Sequence, residues 1–184
     1  MTPDFVPLRA ASRTKLQMGH VVLITVAVEA LSRWYQTVLD MDVVVRTDRL
    51  VFLTFDSFHH RLVIVQRRTG QPAELEDRHV DHIAFKVGDH FALAASYKRL
   101  KSLGIMPARS TNHGMITSLY YPDPDGTKVE FYADNFPSTD ALNAWFATGA
   151  FERDPIGEDI DFERCSARLL HGEATGAVFE PPQV

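Results

Sequence analysis

Cysteine is almost absent from this chain of 184 residues, in which Cys165 is the single one. One thiol cannot form an intrachain disulfide, and it cannot build a metal cluster from several thiolates. Such sparse cysteine usage is typical of a reducing compartment. We therefore expect a cytoplasmic protein.

Basic clusters and long apolar runs are also missing. The net charge is -5 and no stretch concentrates Lys or Arg, so the sequence offers no electrostatic basis for binding nucleic acid or an anionic membrane. The start, MTPDFVPLRAASRTK, lacks the apolar centre of a signal peptide, and no segment approaches membrane-spanning length. The expected partners are a small molecule and further copies of the chain, in a soluble homo-oligomer.

The first half of the chain predicts one βαβββ module. His20 opens the apolar run HVVLITVAV, which is typical of a buried strand. One apolar stripe at helical spacing then predicts a helix over about 28–40. Three β-rich runs follow, at 42–46, 50–55 and 61–66.

The second half repeats this order after a polar linker at 67–79. A strand at 80–87 carries His82 near its start, as His20 stands at the start of the first. Asp89 predicts the N-cap of a second helix, and Gly104 lies where a glycine commonly ends one. The strands that complete the module are predicted at 105–109, 115–121 and 127–133.

The last 50 residues do not follow the repeat. Ser138 and Asp161 are typical N-caps and predict short helices at about 139–149 and 162–171. We expect the tail beyond Gly172 to be frayed. The whole chain is thus predicted as one domain, with module one at 18–66, the linker at 67–79, module two at 80–134 and a helical extension at 135–184.

A mid-strand carboxylate follows the turn Pro122-Asp123-Pro124-Asp125-Gly126. Strand alternation places Glu130 on the opposite face from Val129 and Phe131. Such a carboxylate is either solvated, or it lies in a cavity with a partner such as a metal ion.

The repeat makes His20 and His82 equivalent. A lone histidine in an apolar strand is usually a hydrogen-bonded core residue, but two at symmetric positions favour another interpretation. Two imidazoles and the Glu130 carboxylate form the ligand set of non-haem Fe(II) oxygenases, which leaves positions open for a substrate and a small gas molecule. The predicted fold class is therefore α+β, with two tandem βαβββ modules forming a half-open barrel around a metal site.

Four stretches carry a resemblance to a known family. GHVVLITV, VDHIAFKV, the pair His59-His60 before RLVIV, and YYPDPDGTKVEFYAD resemble the vicinal oxygen chelate superfamily, which includes glyoxalases, bleomycin resistance proteins and dioxygenases. Within it, they are similar to the small, one-domain type I extradiol catechol dioxygenases. The resemblance covers about residues 18–134.

The resemblance implies roles for individual residues. The implied metal ligands are His20, His82 and Glu130, with Fe(II) as the cofactor and Mn(II) as the other possibility. His60 corresponds to an acid/base group that contacts bound oxygen, and Tyr120 to a tyrosine that hydrogen-bonds the substrate oxygen. His113 corresponds to a histidine that holds the catecholate, although a loop residue that caps the hairpin is an equally good interpretation.

The implied reaction is O2-dependent ring cleavage of a catechol-type aromatic such as 2,3-dihydroxybiphenyl. Two alternatives stay open at this point. One is a non-redox, metal-dependent lyase, isomerase or thiol transferase of the glyoxalase or fosfomycin-resistance type. The other is a metal-free ligand-binding protein of the bleomycin-resistance type.

Overall fold

A computed structural model describes residues 18–67 and 80–180. The predicted linker at 67–79, apart from Arg67, and the polar residues 1–17 lie outside the described residues. The described residues fall into two compact units. One contains 18–67, 80–82 and Pro122–Lys128, and the other contains Ile83–Tyr121 and 129–180.

Module one is confirmed as βαβββ. Its elements are β1 (Val21–Thr25), α1 (Val28–Leu39), β2 (Asp42–Arg46), β3 (Leu50–Thr54) and β4 (Leu62–Gln66). The four strands form one sheet in the order β1-β4-β3-β2, in which β1 and β4 run parallel. Helix α1 packs on β3 and β4 through the predicted apolar stripe, whose members Leu31, Tyr35 and Val38 are buried.

Module two repeats the same order and is also confirmed. Its elements are β5 (His82–Lys86), α2 (His90–Ser102), β6 (Arg109–Asn112), β7 (Ile116–Pro122) and β8 (Lys128–Asp134). Asp89 caps α2 by accepting a hydrogen bond from the Ala92 N–H at 2.8 Å, as predicted. Gly104 follows the helix with a positive φ of 75°, which suits a glycine at this position.

The extension adds α3 (Thr139–Phe146), α4 (Ala150–Arg153), β9 (Glu158–Asp159), α5 (Phe162–Leu170) and α6 (Thr175–Val178). Strand β9 joins the second sheet, whose order is β5-β8-β7-β6-β9. The α+β prediction is therefore confirmed, and the described residues form one sheet of four strands and one of five. None of the helices among the described residues combines the length and apolar character needed to cross a membrane.

The strand predicted at 105–109 is wrong, because the strand runs over Arg109–Asn112. The Ile105 N–H still bonds to the Leu100 carbonyl in the last turn of α2, and Pro107 has no N–H to donate. Pairing with β7 begins only where the Ala108 N–H donates to the Tyr120 carbonyl at 2.8 Å.

Two predictions in the extension are also corrected. The helix predicted at 139–149 ends earlier, at Phe146, and Gly149, which has a φ of 73°, separates α3 from α4. The tail beyond Gly172 is not frayed as far as residue 180, since it forms α6 and buries Phe179 to 2% exposure. The Phe179 ring stacks on the rings of His90 and Phe162, which explains why this tail is held.

Candidate active site

The six predicted site residues lie at the starts of strands, in a loop and within the second sheet. His20 precedes β1, His60 precedes β4, His82 begins β5, His113 lies between β6 and β7, Tyr120 is in β7 and Glu130 is in β8.

Three of these residues form a continuous chain of hydrogen bonds. The Tyr120 hydroxyl donates to Glu130 Oε1 at 3.1 Å, and His113 Nε2 lies 2.8 Å from the same hydroxyl oxygen. Because the phenol proton is directed to the carboxylate, the His113 Nε2–H is the donor in the second bond. The chain therefore runs from imidazole to phenol to carboxylate.

Burial is the main influence on the pKa of Tyr120 in this series of hydrogen bonds. Glu130 is only 3% exposed, so the alternative of a solvated strand carboxylate is wrong. Burial of Tyr120, followed by the negative charge of Glu130 and the bond to it, raises the pKa of Tyr120 to about 12. The phenol therefore keeps its proton at neutral pH and acts as a hydrogen-bond donor.

The histidines of module one form a separate cluster of rings. The His60 ring lies 4.5 Å from the His20 ring, 4.5 Å from the Phe52 ring and 4.3 Å from the His59 ring, centroid to centroid. The Nδ1 atoms of His59 and His60 are in hydrogen-bond contact. His59 is exposed and stacks on Phe58, so the structure gives it a surface position beside His60.

The pairing of β1 with β4 explains why His20 and His60 meet. These parallel strands align Val21 with Leu62, and the residues just before each strand are therefore brought side by side. Partial burial lowers the pKa of His60, and the neighbouring His59 and His20 rings lower it further. An unprotonated His60 ring can accept a proton.

His82 begins β5 with a carboxylate beside it. Its Nδ1 lies 2.8 Å from Asp81 Oδ2, while Asp81 Oδ1 lies 2.8 Å from Lys128 Nζ. The hydrogen bond with His82, followed by that with Lys128, holds the pKa of Asp81 below its usual value. An ionised Asp81 orients the His82 ring through Nδ1.

The model of the Glyoxalase/Bleomycin resistance protein/Dioxygenase superfamily matches residues 17–131. The chain belongs to this superfamily.

Relatives within the superfamily extend the match past the two modules. The chain is 39% identical over 150 residues to biphenyl-2,3-diol 1,2-dioxygenase 2 of Rhodococcus globerulus, covering 79% of this chain and 77% of the relative. Biphenyl-2,3-diol 1,2-dioxygenase 3 of the same organism is 34% identical over 147 residues, with the same coverage. The prediction of an enzyme of the dioxygenase class, an oxidoreductase, is confirmed by these relatives.

A solved structure confirms the fold. The crystal structure of a glyoxylase/bleomycin resistance protein/dioxygenase domain from Frankia sp. EAN1pec matches with a TM-score of 0.57 and 18% sequence identity. The match covers 68% of this chain and 96% of that chain.

The predicted metal ligands of this superfamily member are divided between the two compact units. His20 and His82 belong to one compact unit and Glu130 to the other. Among the described residues, no group of three or more His, Cys, Asp or Glu side chains is arranged to hold a metal ion. The donor set still fits a divalent metal chemically, since it offers two imidazoles, one of them oriented by a carboxylate, and one buried carboxylate.

Sequence reasoning missed the residues that support the site. Asp81 stands directly before His82, and an acid beside a predicted metal-binding histidine is a signal that could have found it. Asn112 and Asn135 could not be predicted, because their contacts join segments that are distant in sequence. The Asn135 Nδ2 donates to Asn112 Oδ1 at 2.8 Å across 23 positions of the chain.

Proposed function

We propose that the chain is an extradiol dioxygenase that opens a catechol-type aromatic ring, such as that of 2,3-dihydroxybiphenyl, at a non-haem Fe(II) centre. The observation that carries this proposal is the chain of bonds from His113 through Tyr120 to Glu130. This series of bonds connects His113 and Tyr120, which are suited to binding a phenolic oxygen, with Glu130, which is a proposed metal ligand. The two Rhodococcus globerulus relatives, named for biphenyl-2,3-diol, support the substrate class.

The proposed metal ligands are His20, His82 and Glu130. His82 would bind through Nε2, because its Nδ1 bonds to Asp81 and a carboxylate at the second nitrogen is usual for a ligating histidine. When bound, Fe(II), or Mn(II) as the second possibility, supplies the redox chemistry that O2 requires and lowers the pKa of a coordinated hydroxyl group.

Tyr120 and His113 would bind and orient the diol. The Tyr120 phenol remains protonated because its pKa is raised to about 12. On substrate binding, its hydroxyl would donate to a substrate oxygen that has lost its proton, in place of Glu130 Oε1. The His113 Nε2–H bond to the Tyr120 oxygen holds this phenol in place. The contact of the Tyr120 hydroxyl with the substrate oxygen becomes stronger as negative charge develops on that oxygen.

His60 would move a proton to or from the oxygen atoms of the reaction. Its pKa is lowered by burial and by two neighbouring rings, which leaves an imidazole nitrogen able to accept a proton at neutral pH. Phe52 packs at 4.5 Å from the His60 ring and restricts its orientation.

The reaction is tested with protein that has been loaded with Fe(II) under anaerobic conditions. 2,3-Dihydroxybiphenyl or catechol is added together with O2. Oxygen uptake is followed with an electrode, and the yellow ring-opened product is followed by absorbance. We expect one O2 consumed per diol, since the carbon–carbon bond beside the diol breaks and both oxygen atoms enter the product.

The alternatives predict different results. If a panel of catechols gives neither oxygen uptake nor colour, while a thiol together with a ketoaldehyde or an epoxide is consumed with Mn(II) or Ni(II), a Lewis-acid reaction replaces this proposal. If diols bind without any turnover under either condition, the chain is a binding protein.

A further inference from the structure

The segment Asn112–Gly114 carries His113 between β6 and β7. Asn112 Oδ1 accepts a hydrogen bond from the Gly114 N–H at 2.9 Å, which closes the segment on itself. The Asn135 Nδ2 donates to Asn112 Oδ1 at 2.8 Å and to the Gly114 carbonyl at 2.9 Å. Two carboxamides therefore fix the backbone on both sides of His113.

The Asn135 carboxamide is itself held from the other side. Its Oδ1 accepts from the Thr117 hydroxyl at 2.8 Å and lies 2.9 Å from His90 Nε2. Thr117 and His90 are both buried. Both polar atoms of the Asn135 carboxamide thus have two hydrogen-bond partners. Because all of these bonds must be made together, they fix the orientation of the side chain.

The extension over 136–180 contacts this segment at three separate points. A Cβ on Gly114 would lie 2.4 Å from Cζ2 of Trp145, and a Cβ on Gly157 would lie 2.3 Å from the Asn112 carbonyl oxygen and 2.7 Å from the His113 Cα. Asn112 Nδ2 donates to the carbonyl of Glu180 at 2.9 Å.

Strand pairing adds a fourth attachment. In the antiparallel pair of β6 and β9, Asn112 faces Glu158 and Thr111 faces Asp159. The Ile160 N–H donates to the Ser110 carbonyl at 2.9 Å just beyond this pair. The extension therefore pairs with the backbone immediately before His113.

We propose that the extension over 136–180 is a positioning element for His113, which acts through the Asn112–Gly114 segment. It holds the His113 Nε2–H in its bond to Tyr120, and so it fixes the two groups that would bind the diol. This inference rests on the proposed function for its catalytic consequence, but not for its structural one. A shift of about 1 Å in a substrate-positioning group can cost on the order of 100-fold in rate.

The test compares two glycines of the extension that share a positive φ. Gly157→Ala adds a methyl group against the backbone of Asn112 and His113, whereas Gly172→Ala adds one where no atom lies within 4 Å. Both substitutions carry the cost of a left-handed alanine, so their difference isolates the contact with the segment.

The first readout needs neither metal nor substrate. Proton–nitrogen NMR of the full chain without added iron gives the ring signals of His113, identified by their loss in His113→Gln. We expect a protonated, slowly exchanging Nε2 in the wild type and in Gly172→Ala, and a shifted or rapidly exchanging Nε2 in Gly157→Ala. Unchanged His113 signals in folded Gly157→Ala would overturn the inference.

The second readout uses the iron-loaded enzyme. We expect Gly157→Ala to lower kcat/KM about 10- to 100-fold relative to Gly172→Ala. In a His113→Gln background the two alanine variants should have equal kcat/KM, because the effect is transmitted through His113. A Gly157→Ala loss that persists in full in that background would mean that the extension acts only on general stability, and it would overturn the inference.

Asn112→Asp serves if Gly157→Ala does not fold. The carboxylate can still accept from Gly114 and Asn135, but it loses the donor to the Glu180 carbonyl and repels that oxygen. The same change in the His113 ring signals is expected, and wild-type signals count against the inference. If the ring signals change but no diol is turned over by any variant, the positioning role stands and the proposed function fails.

Discussion

At the scale of single residues, the proposed role of His60 can be tested by comparison with its neighbour His59. The two are adjacent and their Nδ1 atoms are in contact, but only His60 packs against both His20 and Phe52. Replacing His60 by Gln should leave metal bound and slow turnover by about two to four orders of magnitude, the range for a positioned acid/base group.

His59→Gln is the control for this substitution. It should stay within a few-fold of the wild type, since His59 is exposed. Metal content by elemental analysis and steady-state turnover of diol are measured on both variants. If His60→Gln loses its metal, then His60 is a ligand and the assignment of roles is wrong.

Tyr120 and Tyr121 form a second adjacent pair with opposite environments. The Tyr120 hydroxyl bonds to Glu130 and His113, whereas the buried Tyr121 hydroxyl has no hydrogen-bond partner among the described residues. Tyr120→Phe should lower kcat about 10²- to 10³-fold, as expected for removal of a donor to a charged oxygen.

Tyr121→Phe should leave kcat unchanged and keep or raise the unfolding free energy, because it removes an unsatisfied buried hydroxyl. Steady-state kinetics and denaturant unfolding give both quantities. Equal kcat values for Tyr120→Phe and the wild type would show that this phenol does not contact the reacting oxygen.

His90 should make stability depend on pH. Burial lowers its pKa, against the bond to Asn135 and the charges of Asp89 and Asp134, which raise it. As the pH falls below about 6.5, His90 takes up a proton in the unfolded chain at a higher pH than it does in the folded chain. The free energy of unfolding is therefore at its full value above that pH and decreases as the pH falls.

His90→Gln can still donate to Asn135 but does not titrate. Between about pH 7.5 and 5.5, the wild type should lose stability more steeply than the variant, by at most ~1.4 kcal/mol per pH unit. Urea unfolding at several pH values measures this difference, and parallel curves would contradict it.

At the scale of elements, the sequence predicted what is locally determined. The N-caps Asp89, Ser138 and Asp161 were predicted, and each accepts a backbone N–H three positions later, at 2.8, 3.2 and 3.0 Å. β6 was misplaced and β9 was missed, because both are polar segments whose composition does not mark a strand. β6 forms by pairing with β7, and β9 forms by pairing with β6, which is far away in sequence.

The hairpin turn between β7 and β8 is held by one carboxylate. Asp123 Oδ1 accepts from the N–H groups of Asp125 and Thr127, both at 2.9 Å, and Oδ2 accepts from the Tyr35 hydroxyl of α1 at 3.1 Å. Both Tyr35 and Asp123 are buried. Asp123→Ala should therefore lower the unfolding free energy by about 2–4 kcal/mol, because it leaves these donors without their acceptor.

The control is Asp125→Ala in the same turn, which leaves all three bonds to Asp123 in place. Denaturant unfolding is measured for both variants and for Tyr35→Phe combined with Asp123→Ala. The double variant should be less destabilised than the sum of the single ones, since both remove the same bond. Strict additivity would mean that the Tyr35 contact contributes nothing.

At the scale of the whole molecule, the internal repeat was the most informative feature of the sequence. It predicted both modules because the histidine, strand and helix recur in one order, and it drew attention to His20 and His82 together. It could not predict that His60 meets His20, since that depends on the alignment of β1 with β4. The repeat also could not assign a role to the extension, because the extension has no counterpart in module one. Homo-oligomer formation and a cytoplasmic location stay predictions.

The metal proposal can be tested in each compact unit separately, because the proposed ligands His20 and His82 belong to one unit and Glu130 to the other. Full-length protein loaded anaerobically should hold about one Fe(II) per chain, and at 100 times Kd the metal should add about 2.7 kcal/mol to the unfolding free energy.

Glu130→Gln keeps the shape of the side chain and an acceptor for the Tyr120 hydroxyl, but it removes the charge that a divalent ion requires. Elemental analysis and thermal unfolding with and without Fe(II) should therefore show both the bound metal and the added stability lost in Glu130→Gln and in His82→Ala, and kept in His59→Gln. Full metal content in Glu130→Gln and His82→Ala alike would place the metal on other residues.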